Sequence, residues 1–203
     1  MPSKMSRFFI SSLTIQDINK HRRLLNYFQL YTRHSGFINK HSPLSLAILK
    51  TLPNLSFVPA FIQIWTGCRY NEIFQVRIED IKSNNSIEIK SSKSKNKKLI
   101  PPLSLFRPNL LRSIDISTPI CVSSYDKYKN DIIKAKSLLE LFFPQNILDC
   151  THVFRHIEAS FLHSRNCSLS EISDYLGHDS NKTSSSYIHD FKEFFPKVIK
   201  KKG

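Results

Sequence analysis

The sequence predicts an α+β fold, mostly helical with one small antiparallel β-sheet, and three observations carry that expectation. Apolar residues recur at helical spacing over most of the chain, as at Ile15, Ile18, Leu25 and Phe28. The period changes once, at Ser86-Ile87-Glu88-Ile89-Lys90, where apolar and polar residues alternate. Prolines, glycines and polar runs punctuate the remaining segments as they punctuate helices. At 203 residues the chain is one domain, or one and a fraction, and is long enough to bury a core.

Taken in order, residues 1–12 form an N-terminal extension. A first helix spans Leu13 to Leu30, with Thr14 as N-cap and Asp17 three residues later. The polar segment His34 to Pro43 breaks it. A second helix, Leu44 to Leu52, ends before Pro53. A third, from Ser56 to Trp65, is apolar nearly all round and is expected to be buried. Its Pro59 falls in the first turn, where a missing N–H costs little. Thr66-Gly67 stops this helix, and Arg69 opens the next, RYNEIFQV, with Glu72 on the same face.

The strand 86–90 is followed by a polar turn, SSKSKNKK, and a return strand at Leu99-Ile100. A short helix is expected from Pro108 to Ile114 and a longer one from Tyr125 to Phe143, capped by Ser123 or Ser124 and stopped by Pro144. Then come a helix from His152 to His163, a polar break from Ser164 to Ser168, and a short helix from Leu169 to Leu176 with Gly177 as its stop. Tyr187 is expected on a further short helix. Phe191, Phe194, Phe195, Val198 and Ile199 form one helical stripe, interrupted by Pro196.

Thirty Lys+Arg against sixteen Asp+Glu give a formal net charge of +14, which favours an anionic polymer as partner, nucleic acid first. Lys200, Lys201 and Lys202 read as a solvated tail. The four cysteines (Cys68, Cys121, Cys150, Cys167) are scattered without a CxxC, so they read as reduced thiols of an intracellular protein with no structural zinc. The N-terminal apolar patch is too brief for a signal peptide or a membrane span, and no membrane partner is expected.

Chemistry concentrates in two places. Thr151 to Tyr187 holds His152 and Arg155 as His-x-x-Arg, then Leu176-Gly177-His178, then Tyr187 nine residues on. Upstream, TGCRYNEI places Arg69 in an apolar setting, where it reads as a capping or salt-bridging arginine with Glu72 as its partner. An arginine held in that way by a carboxylate is also set to grip a phosphate bidentately. The hairpin carries Lys90, Lys93, Lys95, Lys97 and Lys98 near its tip, either as a solvated loop or as groups reaching phosphates in a DNA groove.

The spacings are 24 residues from Arg69 to Lys93, 23 from Arg155 to His178 and nine from His178 to Tyr187. With them go TGxRxxE around Arg69, HxxRH from His152 to His156, LGH ending at His178, and Thr183-Ser184 ahead of Tyr187. Together these resemble the tyrosine recombinase (phage integrase, Xer-like) family, over nearly the whole chain from Leu13 to Ile199. The resemblance implies that family's catalytic domain over residues 13–190, with a lysine-bearing antiparallel sheet. It further implies a DNA strand cleavage and rejoining enzyme that needs no cofactor, metal or ATP. In that mechanism Tyr187 is the nucleophile and forms a 3′-phosphotyrosyl link. Arg69 and Arg155 clamp the phosphate, Lys93 is the general acid, and His152 is the general base or proton shuttle. His178 donates to a phosphate oxygen, and Glu72 orients Arg69. Partners implied are double-stranded DNA, further copies in a tetramer on DNA, and an accessory DNA-bending protein. The segment 191–203 would dock on a neighbouring copy or pack in cis.

The chain departs from the family pattern in three ways. Arg69 comes too early for a separate core-binding domain of roughly a hundred residues. The turn SRNCS lacks a glycine, so Asn166 is expected to take the left-handed position. Cys68 stands where a leucine is usual. Two other functions share the same parts: a type IB topoisomerase, which relaxes DNA without site choice, and a catalytically idle DNA-binding regulator.

Overall fold

The computed structural model describes residues 19, 22–23, 25–26, 28–30, 32–33, 35–81, 87–90, 97–100, 119–121, 123–137, 152–178 and 181–188. At the N-terminal end, Leu25 and Phe28 lie on helical backbone and are buried in the main core. Thr14 and Asp17, the short helix expected at 108–114, residues 138–143 and the stripe from Phe191 to Ile199 lie outside the described residues.

The segment expected to be a polar break contains a helical turn, α1, Ser35–Ile38. One residue accounts for the difference. Phe37 is buried, stacks on Phe61 at 4.7 Å between ring centroids and lies 4.4 Å from the His41 ring. Burying one phenyl side chain is worth about 2–3 kcal/mol, enough to fix a turn in which Ile38 stays exposed. Helix α2, Pro43–Thr51, begins as its sequence dictates, with Pro43 in the first turn and the Ser42 hydroxyl accepting the Leu44 N–H at 3.2 Å.

Helix α3, Asn54–Thr66, is the axis of the molecule. Every residue from Ser56 through Thr66 is buried, the environment its all-round apolar sequence predicts. It ends at Gly67, whose φ of +63° is the left-handed C-terminal stop that glycine adopts without steric cost. Helix α4, Tyr70–Ile73, starts immediately afterwards on Arg69, and a 3₁₀ turn, Ile78–Asp80, follows.

Strand β1, Ile87–Lys90, pairs antiparallel with β2, Lys97–Ile100, in the register Ile87 with Ile100 through Lys90 with Lys97. Lys97 and Lys98 therefore belong to a strand and not to the turn assigned from sequence. Ile87 and Ile89 are buried, so the inward face of the alternating run seats this ribbon on the core.

Helix α5, Tyr125–Ser137, takes its cap from Ser124, whose hydroxyl accepts the Lys127 N–H at 3.2 Å. Buried polar contacts tie it to α3. Tyr128 donates to Gln63 at 2.8 Å, and Ser56 donates to Asp131 at 2.7 Å, with Lys127 paired to the same carboxylate at 3.0 Å.

Helix α6, Val153–Ser164, packs on α3, and α7, Leu169–Leu176, packs on α6. Between them Asn166 adopts φ +64°, as expected for the turn without a glycine. Ser168 and Glu171 form a capping box at the start of α7, and Gly177, φ +65°, ends it. Inside the core the Glu158 carboxylate accepts from His41 Nδ1 at 3.2 Å and from the Ser42 N–H at 3.1 Å, joining α6 to the entry of α2. The Tyr175 hydroxyl donates to Ile64 O at 2.5 Å, fastening α7 to the end of α3, and burial pushes that hydroxyl well above its ordinary pKa.

The last described helix, α8, is Asn181–Ser185. Tyr187 lies two residues past it in a turn, its N–H bonded to Ser184 O at 3.1 Å, and not on the helix expected from sequence. The run Thr183-Ser184-Ser185-Ser186 explains this. Hydroxyl side chains compete for backbone groups, as Ser186 does by donating to Thr183 O at 2.7 Å, and they extend helices poorly.

Two predictions follow from the turns that hold α3 and α7. A Cβ at Gly67 would lie 2.6 Å from Tyr175 O, on backbone already at positive φ, so Gly67→Ala should destabilise by about 2 kcal/mol or more. Urea unfolding checks it, with a lowered midpoint at unchanged slope expected. Backbone and hydroxyl donors of Ser168 hold the Glu171 carboxyl below its usual pKa. Its stabilising contribution is therefore full above the ordinary carboxylate range and is lost as pH falls through the lowered value. Glu171→Gln should flatten that acid limb in thermal melts run from neutral to acid pH.

Candidate active site

Gly67 presents a carbonyl that faces inward across the end of α3. Arg155, one turn into α6 and fully buried, donates to it through Nη1. Through Nη2 the same guanidinium reaches His178 Nε2 at 2.6 Å. Arginine has only donors, so Nε2 accepts and the neutral imidazole carries its proton on Nδ1. That proton points to Ser184 Oγ, 2.9 Å away and fully buried. Three separate segments thus meet on one arginine: the stop of α3, the stop of α7 and α8.

Tyr187 closes the group. Its ring lies over the Arg155 guanidinium, with Cζ 5.2 Å from the ring centroid, close enough for a cation–π contact. The His178 ring is 5.1 Å from it, the His156 ring 4.6 Å and the His152 ring 6.1 Å. Ser160 Oγ, which donates to His156 O at 2.8 Å, lies 3.4 Å from the Tyr187 carbonyl. His152, His156 and Ser160 are spaced four residues apart at the start and along one face of α6, so a single helical stripe lines the tyrosine.

Burial pulls the Arg155 guanidinium down from its ordinary pKa. Tyr187 offsets part of the shift, and the positive charge of Arg69 adds to it. The Arg155 Nε is buried and has no hydrogen-bond partner, one of two such side-chain atoms among the described residues. A donor left in that state costs about 1–3 kcal/mol, an amount that an incoming acceptor would return.

Arg69 is fixed by its own helix start. The Glu72 carboxylate accepts the Arg69 backbone N–H at 2.7 Å and its Nη1 at 3.2 Å. Glu72 is buried while the Arg69 side chain keeps some exposure, so the carboxylate sits behind the guanidinium and leaves its outer edge open. Cys68, between the two basic centres, is buried, and Thr66 Oγ1 lies 2.9 Å from its sulfur. Packing there is tight, and the residue offers no charge to the site.

Of the residues singled out from sequence, Arg155, His178, Tyr187 and His152 gather into one cluster, and Arg69 with Glu72 stands at its edge. Lys93 and Lys95 lie outside the described residues. Lys90, Lys97 and Lys98 are on the two strands, at register positions Lys90 with Lys97 and Ile89 with Lys98. Sequence reasoning missed His156, Ser160 and Ser184 as members of the cluster. The first two were reachable, since residues four and eight after His152 share its helix face. Ser184 is part of the Thr183-Ser184 pair ahead of Tyr187, but that pair gives no sign of its contact with His178, which depends on a turn.

Among the described residues no group of His, Cys, Asp and Glu is arranged to hold a metal ion, and no helix is long and apolar enough to cross a membrane.

No protein-family model matches the chain, and no curated protein matches it in sequence. Solved structures do resemble it. XerA recombinase is 17% identical over 88% of this chain, with a TM-score of 0.48, and the chain spans 60% of that protein's length. The catalytic domain of bacteriophage HP1 integrase is 20% identical over 88% of this chain and 86% of its own, with a TM-score of 0.46. A lambda integrase tetramer bound to a Holliday junction is 17% identical over 92% of this chain and 50% of its own, with a TM-score of 0.48. The solved structures that this chain resembles are tyrosine recombinases.

Proposed function

We propose that the chain is a site-specific DNA recombinase that cleaves and rejoins DNA through a 3′-phosphotyrosyl intermediate, in inversion, integration or excision. The observation that carries this reading is the meeting of Tyr187 with Arg155, His178 and His152 around a buried guanidinium that keeps one donor unsatisfied. Phosphodiester cleavage needs a nucleophile, positive charge on the non-bridging oxygens, and proton transfer at the attacking and leaving oxygens. This cluster holds the first two and an imidazole for the third.

In the proposed reaction the Tyr187 hydroxyl oxygen attacks phosphorus, passing its proton to His152, and the bond to the 5′-oxygen breaks. Lys93 protonates that oxygen, giving a 5′-hydroxyl. Arg155 and Arg69 neutralise the charge that builds on the non-bridging oxygens, with Glu72 holding Arg69 in its aim. His178 donates to one of the same oxygens. The phosphotyrosyl ester keeps the energy of the broken bond, so attack by a 5′-hydroxyl of the exchanged strand reseals DNA without ATP. Lys90, Lys95, Lys97 and Lys98 would meet backbone phosphates of double-stranded DNA beside the site, consistent with the net charge of +14. Strand exchange between two duplexes calls for several copies, a tetramer on DNA, and an accessory protein would bend the DNA. The reading makes this an intracellular, nucleoid-associated protein.

The test uses supercoiled plasmid carrying the DNA that flanks the gene, incubated with protein in EDTA and quenched with detergent. Wild type should leave a covalent protein–DNA adduct at one position, and Tyr187→Phe none. Arg155→Lys keeps a charge but not the two-pronged geometry, so adduct formation should drop by roughly 10²–10³-fold. Adducts or relaxation on any plasmid would mark a topoisomerase. Binding without cleavage by either protein would mark an idle regulator and sink the recombinase reading.

A further inference from the structure

Ser184 is the residue of the cluster whose place cannot be guessed from its type. It is fully buried, so no bulk water competes for its hydroxyl. Its Oγ lies 2.9 Å from His178 Nδ1, and its carbonyl takes the Tyr187 N–H at 3.1 Å. One residue therefore touches both the imidazole and the turn that carries the tyrosine. The imidazole is also held from its backbone, by His178 N–H to Ser173 O at 3.0 Å and Ser173 Oγ to His178 O at 3.1 Å. With the ring so placed, the proton's position on it is the remaining freedom.

We propose that Ser184 is a positioning residue that holds His178 in place through either tautomer, accepting from Nδ1–H or donating to a bare Nδ1. In the site as it stands, Arg155 Nη2 can only donate, so Nε2 is bare and Nδ1–H donates to the Ser184 hydroxyl. On the proposed function, on which this second half rests, a phosphate oxygen enters beside Arg155, and His178 has to offer it Nε2–H. The proton then sits on Nε2, Nδ1 is bare, and Ser184 rotates its hydroxyl to donate to Nδ1. A hydroxyl, with one donor and two acceptor positions, serves both states. An alanine serves neither, and a carboxylate would lock Nδ1–H and with it the form that cannot donate to phosphate.

Side-chain ¹⁵N spectra of the full chain without DNA test the first half directly, with His178 assigned by its loss in His178→Gln. The wild type should show a protonated Nδ1 and a bare Nε2. Ser184→Ala should keep that tautomer, which Arg155 imposes, but move the Nδ1 resonance and speed exchange of its proton, and Ser184→Thr should restore the wild-type pattern. A protonated Nε2 in the wild type, or identical spectra for Ser184→Ala, would overturn the assignment. The adduct assay tests the second half. Ser184→Ala should slow adduct formation roughly 10–100-fold, as losing the orienting partner of a working histidine does, with DNA affinity unchanged. Ser184→Thr should run near the wild-type rate. Equal rates for wild type and Ser184→Ala would refute the proposed role. If the wild type forms no adduct at all, the recombinase reading fails and the delivery of Nε2–H falls with it, while the spectra still decide the tautomer.

Discussion

A charged guanidinium with no exposure is the constraint around which this molecule is arranged. Burying an isolated ion costs several kcal/mol even after relaxation, so Arg155 persists in the core only because other groups are brought to it. Its described partners are a backbone carbonyl at Gly67, an imidazole nitrogen at His178 and the face of Tyr187. All three are dipoles or π density and not formal charges. The arginine is solvated without being neutralised, and the positive charge stays available to an anion.

That choice of partners explains the two left-handed glycines. Gly67 must turn the chain sharply so that its carbonyl faces Arg155, and it must let Tyr175 come close enough to bond Ile64. Gly177 must end α7 so that the next residue, His178, projects back toward α6. At both places the helix stop and the site are the same few atoms. Stability and placement of functional groups therefore cannot be separated there, whereas at Asn166 a non-glycine residue holds the same conformation.

Much of this was legible in the sequence wherever local rules decide the outcome. The all-round apolar run from Ser56 predicts a buried helix, Gly67 and Gly177 predict its stop and that of α7, and Arg69 with Glu72 predicts a capped start that doubles as a held guanidinium. What escaped depends on contacts between distant residues. Phe37 and Ile38 are the two large apolar residues of a polar stretch, and nothing local marks Phe37 as core because its partner, Phe61, is 24 positions away. Tyr187 is expected on a short helix, while the hydroxyl-rich run before it turns the chain sooner. The cluster's main members could be named from the family resemblance that their spacing and flanking letters carry, but not the network of Ser184, His178 and Arg155 that aligns them.

The way Arg69 and Arg155 are treated completes the physical picture. The two share a region and their charges repel, which contributes to lowering the Arg155 pKa. Arg69 is steadied by Glu72, a full negative charge, and keeps an exposed edge; Arg155 has none and is covered by an aromatic ring. Were both paired to carboxylates, the site would be electrically quiet and an anion would gain little by entering. Were neither paired, two like charges would hold the end of α3 apart from α6. One neutralised and one merely solvated arginine is the arrangement that folds and still leaves net positive charge beside Tyr187. An anion entering there meets the unsatisfied Nε as well, so the cost of burying Arg155 is carried by the fold and recovered at the moment of binding.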